Sequence, residues 1–225
     1  MTKQTLNVRD LREVPAYSIG EAAGYLRVPK STLRAWMLGQ QRFRSVIEIA
    51  DRRDRKLSFI NLVEAFVLAS IRREHSIPLP KVRKAVQYLR RTWGTRRPLA
   101  EERFEADGVN LFVEKFCALV GVNQDGQLSM REIIRDRLKR VQRDPQGIPE
   151  KIVLFPAQES AVNGTVVIDP RISFGRPVLD GLGVRTTILV ERFMAGEDIN
   201  DLARDYDAPL EAIQNAIRCE KRLAA

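Results

Sequence analysis

The chain has 225 residues, 38 Lys/Arg against 29 Asp/Glu for a formal charge of +9, two cysteines and one histidine. That length suits one or two domains with a proper core, and without a long apolar run or a basic-then-apolar leader neither a membrane span nor a secretory signal is expected. Cys117 and Cys219 lack CxxC or Cys/His neighbours, so with a solitary His75 they argue against a zinc site or a His-based catalytic group and suit a reducing cytoplasm.

Residues 1–16 are polar and end in Val14-Pro15, a short arm leading into Tyr17–Trp36, YSIGEAAGYLRVPKSTLRAW. Ile19, Ala22, Ala23 and Leu26 recur at helical spacing, Arg27–Pro29 breaks the period, and Leu33 and Trp36 resume it. Ser18 is a good N-cap, and Glu21 three residues on completes a capping box. Two short helices joined by a tight turn make a helix-turn-helix, although a purely structural helical hairpin is the alternative. The second helix carries Lys30, Ser31, Thr32 and Arg34 outward, donors and acceptors suited to phosphates and base edges. Residues 1–97 hold 21 Lys/Arg against 8 Asp/Glu, whereas 98–164 and 165–225 are each slightly acidic. The basic excess therefore coincides with the reading motif, which favours nucleic acid as partner.

Gly39 is expected to end the second helix. Ser45–Ile49 alternates as a strand, Asp51–Asp54 makes a charged turn and Lys56–Phe59 returns, a β-hairpin wing. Arg52, Arg53, Arg55 and Lys56 at its tip would lie against the phosphate backbone; a solvated charged turn is the plainer alternative. Asn61–Glu74 reads as an amphipathic helix, Pro78 and Pro80 punctuate a loop, and Lys81, Arg83, Lys84, Arg90 and Arg91 add a second basic patch. His75, near a helix end, reads as a cap or surface residue.

The stretch 17–36, with TLRAW at the expected distance, resembles the helix-turn-helix of the MerR-type superfamily. Residues 58–90, SFINLVEAFVLASIRREHSIPLPKVRKAVQYLR, resemble the helices that complete that domain. The sequence departs from the pattern at Pro29, where the family offers a Ser or Thr cap, and at Ala35, where it often has an aromatic. The resemblance implies a DNA reader built from Ser18, Lys30, Ser31, Thr32, Arg34 and the wing residues.

Further on, Arg103–Glu105, Asp107-Gly108 and Val109–Val113 suggest a second hairpin. Phe112, Phe116, Leu119 and Val120 read as core. Asn123–Glu132 matches several positions of an EF-hand calcium loop but lacks the first carboxylate at Gly121, so no metal is expected. The simpler reading makes Asp125-Gly126 a turn, Ser129 a helix cap and Glu132 its capping-box partner. Arg131–Gln142 then reads as a helix, Ile152–Phe155 as a strand, and 156–164 as a linker or hairpin.

In the last sixty residues Thr165–Ile168 is a strand, Thr186–Met194 a helix stopped by Gly196, and Ile199–Tyr206 with Pro209–Ile217 a helix-turn-helix-like pair. Its second helix offers Glu211, Gln214 and Asn215, a face poorly suited to phosphate, so a protein contact, dimerisation or capture of a basic toxin, is expected, with purely structural three-helix packing the equal alternative. The run VVIDPRISFGRPVLDGLGVRTTILVERFMAGEDINDLARDYDAPLEAIQNAI resembles the domain-of-unknown-function 433 family at Gly175–Val178, Gly181, Arg185, Ala195-Gly196, Leu202 and Asp205-Tyr206. With the N-terminal reader, the whole chain resembles the longer VapB-type antitoxins.

The expected fold is therefore mainly α with small β elements (α+β). It comprises a winged helix-turn-helix domain at 1–97, a mixed connecting or dimerisation segment at 98–156, and a helical, helix-turn-helix-like antitoxin-associated domain at 165–225. The resemblances imply a non-enzymatic, cytoplasmic, homodimeric type II antitoxin. It would bind operator DNA, repress its own operon and neutralise a PIN-like ribonuclease toxin, with no cofactor and no membrane. The alternative is a freestanding MerR-like regulator that senses a small molecule in the C-terminal domain.

Overall fold

The computed structural model describes residues 10–40, 43–73, 79–120, 124–155 and 166–224. The protein is mainly α with two small sheets, as expected for this sequence. His75, the linker at 156–164 and the side chains of Phe116, Leu119 and Val120 lie outside this description.

The N-terminal helix-turn-helix begins with β1 (Tyr17–Ser18), α1 (Ile19–Leu26) and α2 (Lys30–Leu38). Helix α1 is capped as the sequence requires: Ser18 Oγ accepts from Glu21 N, and Glu21 Oε2 accepts from Ser18 N at 2.8 Å. Arg27, at φ 54°, turns the chain and Gly39, at φ 83°, closes α2. Buried Ile19, Ala22, Ala23 and Leu26 of α1 meet Leu33, Trp36 and Met37 of α2 in the main core.

Ser45–Ile49 is not a strand. The Val46 and Ile47 amides both donate to Trp36 O, at 2.8 and 3.1 Å, so this segment caps α2 instead of joining a ladder. Those two adjacent side chains are both buried, which a strand with one solvated face cannot do. Strand β2 (Lys56–Leu57) pairs antiparallel with β1 instead, with Tyr17 opposite Leu57 and Ser18 opposite Lys56. The wing is thus reduced to the turn closed by the Asp51–Lys56 bridge.

Helix α3 (Phe59–Arg73) is buried on every side from Phe59 to Ile71, not on one face as its periodicity suggests. It packs against α1, β2, α6 (Gln124–Leu138) and β4 (Pro149–Phe155), the pattern of a central helix. Helix α4 (Leu79–Trp93) packs on α5 (Val109–Val120).

The expected hairpin at 103–113 is a π-helical turn, Phe104–Gly108, running into α5. Phe104, Val109, Phe112, Val113 and Cys117 are buried at helical spacing, so packing overrides the Asp-Gly signal. Gly108 serves close approach rather than a turn: a Cβ there would sit 2.4 Å from the Trp93 ring. Similarly, α6 runs straight through Asp125-Gly126, so Ser129 and Glu132 lie inside the helix and form no cap there. Met130, Ile134 and Leu138 bury the face that decides this. The helix ends at Leu138, and Val141 and Gln142, expected to be helical, belong with Arg143 to strand β3 (Val141–Arg143).

One antiparallel sheet orders β3, β4, β5 (Val166–Ile168) and β6 (Val178–Leu179) side by side. Helices α7 (Thr186–Met194), α8 (Ile199–Asp205) and α9 (Leu210–Ala224) follow and share a second core with Val166 and Leu179. The main core runs without a break from Tyr17 through the middle segment to Ile168. Asn215 is buried and Glu211 and Gln214 are half-buried, so α9 packs inward rather than presenting that face.

Candidate nucleic-acid interface

Helix α2 begins at a proline. Pro29 occupies the N-cap without a side-chain cap bond, so among the described residues no side chain accepts from the first-turn amides of Lys30, Ser31 and Thr32. An uncapped helix N-terminus with its positive dipole end free is a ready phosphate site. Lys30, Ser31 and Arg34 are exposed together on the outer face, and Thr32 is half-buried beside them. The Lys30 chain runs past Gly20: its Nζ lies 3.7 Å from where a Cβ there would stand, ordinary contact distance. Ser18 is exposed, but its oxygen already serves the α1 cap.

The basic turn stands at the other side of α2. Asp51 and Lys56 exchange both backbone hydrogen bonds at 3.0 Å, Asp51 Oδ1 accepts from Asp54 N, and Arg55 takes φ 55°. Arg52, Arg53, Arg55 and Lys56 are all exposed. Together with Lys30 and Arg34 they form no ion pair among the described residues, which leaves their charge available to an anionic partner. An open cleft lined by Leu38, Gly39, Gln40, Phe43, Arg44 and Arg52 separates the end of α2 from this turn.

What fixes the turn was invisible at the level of motif. Buried Asn61 accepts from Ala50 N at 2.7 Å and donates to Glu48 O at 2.9 Å, tying the approach of the basic turn to α3. Glu64, one turn further, receives the remaining Asn61 N–H at 3.3 Å; burial pushes its carboxyl up to about 8, against the pull of Arg97 and Arg90.

Two members of the second basic patch prove structural. Arg83, which burial holds below its ordinary value, donates to Arg44 O at 2.8 Å, and Arg90 donates to Val46 O at 2.7 Å. Both guanidinium groups hold the segment that closes α2. Lys84 and Arg91 remain exposed.

The C-terminal unit also touches the reader. Arg176 reaches Glu21 at 2.7 Å and lies 6.0 Å over the Tyr17 ring, while α9 contacts α1. Burial pushes the phenols of Tyr17 and Tyr25 up. Burial also raises Glu21, but the Ser18 hydrogen bonds and Arg176 outweigh it and hold this carboxyl below its usual range.

Among the described residues no group of three or more His, Cys, Asp or Glu is arranged to hold a metal, and no helix is long and apolar enough to cross a membrane.

Residues 15–86 match the family model described as "Putative DNA-binding HTH domain", and residues 166–218 match "Protein of unknown function (DUF433)". The chain is 26% identical to the "Putative antitoxin VapB45" of Mycobacterium tuberculosis, over 91% of this chain and 93% of that one. It is 23% identical to "Uncharacterized protein Rv2308" of the same organism, over 96% and 94% of the two chains. The crystal structure of Rv2018 from Mycobacterium tuberculosis superposes with a TM-score of 0.74 at 27% identity, covering 91% of this chain and 98% of that one.

Proposed function

We propose that this protein is a DNA-binding antitoxin of a type II toxin–antitoxin system. It acts as a cytoplasmic homodimer that represses its own operon and neutralises a PIN-like ribonuclease toxin. The observation that carries DNA binding is the uncapped start of α2, where Lys30, Ser31 and Arg34 are exposed and unpaired among the described residues. Across the cleft, Arg52, Arg53, Arg55 and Lys56 supply a second set of cations for the phosphate backbone. Pairing two such readers in a symmetric dimer lets them address half-sites about one helical turn, or 34–36 Å, apart. The antitoxin role is supported by the full-length likeness to a protein named as a VapB antitoxin. On this reading residues 1–97 read DNA, 98–156 connect or pair the protomers, and 165–225 contribute to toxin capture.

The test has two arms. In a mobility-shift titration on the duplex upstream of its own coding sequence, Arg34→Ala with Arg53→Ala should weaken binding. The double change should also reduce the log–log salt slope by about two, one for each phosphate left without its arginine. Unchanged affinity and slope would sink the reader assignment. Co-expression with the adjacent open reading frame should yield a co-purifying complex and rescue growth; a neighbour that is neither toxic nor bound would sink the antitoxin assignment.

A further inference from the structure

Among the exposed large hydrophobic residues described, Phe43 lies beside the basic turn. Its side chain is 53% exposed, beside exposed Arg44 and across the cleft from Arg52. A single exposed ring is ordinary on a protein surface; what sets this one apart is how it is held.

The ring is also held. Phe43 and Gln40 exchange both backbone hydrogen bonds, at 3.0 and 2.9 Å. Gly39 permits this reversal, since a Cβ there would lie 2.5 Å from Phe43 O. Beneath the ring the Arg83 guanidinium sits 5.1 Å from its centroid, with Nε bound to Arg44 O. A buried arginine therefore braces one side of the ring. The phenyl is presented, not merely left over.

The cleft begins where the exposed face of α2 ends: Leu38 is one helical turn beyond Arg34 and lines it. A helix C-terminus would normally repel a phosphate. Here two of its last carbonyls are engaged, Ala35 O by Gly39 N and Trp36 O by Val46 N and Ile47 N, which blunts that negative end. Arg44 and Arg52 then set the sign of the cleft.

We propose that this cleft seats one sugar–phosphate strand of duplex DNA, with Arg44 and Arg52 on phosphates and Phe43 packed on the deoxyribose between them. The inference rests on the DNA-reading function proposed above and adds a strand-clamping site to it. Packing on a sugar is blind to base identity and releases no counterion, whereas an arginine on a phosphate does release one.

The experiment compares full-length wild type, Phe43→Ala, Phe43→Tyr, Arg52→Ala and Arg34→Ala on two duplexes of equal length. One is the sequence immediately upstream of the coding sequence and the other is a shuffled version, each titrated across a salt series. Phe43→Ala should weaken binding about five- to thirty-fold, the scale of one apolar packing interaction, equally on both duplexes and with an unchanged salt slope. Phe43→Tyr should retain binding, and Arg52→Ala should lower the slope by about one. Thermal melting of Phe43→Ala within a degree or two of wild type accompanies the expected result. Wild-type affinity in Phe43→Ala, a loss confined to the upstream duplex, or a loss matched by a collapsed melting temperature each overturns the clamp. If Arg34→Ala weakens binding while Phe43→Ala does not, the clamp falls and the reader stands; if wild type binds neither duplex, both fall.

Discussion

Arg176, in the loop of the C-terminal unit, forms an ion pair at 2.7 Å with Glu21, the residue that completes the cap of the reader's first helix. The carboxylate thus answers to both ends of the chain. One oxygen closes the capping box and the other meets Arg176, whose guanidinium also overlies the Tyr17 ring. The position of α1, and with it α2, is referred to a loop some 150 residues downstream in sequence.

Arg176→Ala should raise the Glu21 pKa toward the ordinary carboxylate value, as read by a pH titration of the side-chain carboxyl resonance. Glu21 is held low in the fold, so its contribution is present above the unfolded value and lost as pH falls through the folded one. The variant should therefore lose less stability on acidification than wild type. The pair is partly exposed, so the cost at neutral pH should be about 1 kcal/mol or less. An unmoved Glu21 titration would show that the pair does not persist in solution.

Gly175 and Tyr17 should be strongly coupled. Gly175 takes φ +71°, and a Cβ there would stand 2.0 Å from the buried Tyr17 hydroxyl, which has no hydrogen-bond partner among the described residues. Gly175→Ala should cost about 1–3 kcal/mol from backbone strain alone, plus the clash. Tyr17→Phe should be neutral or stabilising, because it removes an unsatisfied hydroxyl. The double variant should relieve the hydroxyl part of the clash, although Cζ still stands 2.9 Å from that Cβ, and not the strain, giving a coupling of at least about 0.5 kcal/mol in a denaturation cycle. Simple additivity would mean that the loop does not seat on Tyr17.

Glu64 predicts a pH dependence of stability. Its pKa stands near 8 in the fold against an ordinary 4.5, so the native state holds the extra proton between those values. Stability from this group is full below about 4.5 and is lost as pH rises through 8. Glu64→Gln keeps the neutral shape and should flatten that decline, melting above wild type at pH 9 by about 2–4 °C per kcal/mol recovered. Parallel curves for the two proteins from pH 5 to 9 would refute the assignment.

Asn61→Ala should loosen the basic turn from α3. It leaves the Ala50 amide and Glu48 carbonyl without their partner, costing about 2–6 kcal/mol at roughly 1–3 per orphaned group. Hydrogen exchange should speed first at Ala50 and Asp51. Salt-sensitive DNA affinity should fall although no charge has been removed. Unchanged exchange there would mean that the turn is held by its own Asp51–Lys56 bridge.

The helix-turn-helix was legible because its signals are local: the Ser18–Glu21 cap, the αL turn at Arg27 and the apolar spacing of α1 and α2 act within a few residues. The last three helices were legible for the same reason. Local signals failed where distant partners decide. Asp107-Gly108 reads as a turn until Trp93 is seen against Gly108, and Asp125-Gly126 reads as a turn until Met130, Ile134 and Leu138 are seen packing as one helical face. The wing failed because Trp36 O claims the Val46 and Ile47 amides, while β2 finds its partner forty residues earlier. Within the candidate interface the exposed cations were readable as residues. Their supports, Asn61, Arg83 and Arg90, were not, because a buried polar group declares its role only through the backbone it holds.

The antiparallel pairing of β4 with β5 joins the middle segment to the C-terminal one, with Ile152 opposite Ile168 and Val153 opposite Val167. Turnover of the chain inherits that arrangement. A protease that unravels residues 166–224 removes the neighbour of β4, strips Gly175 from Tyr17 and takes Arg176 from Glu21 in the same stroke. The reader then outlasts its C-terminal companion only as a core with an open strand edge and an unshielded aromatic, a species prone to further digestion. A single cleavage event thus couples loss of the C-terminal helices to loosening of the N-terminal helix-turn-helix.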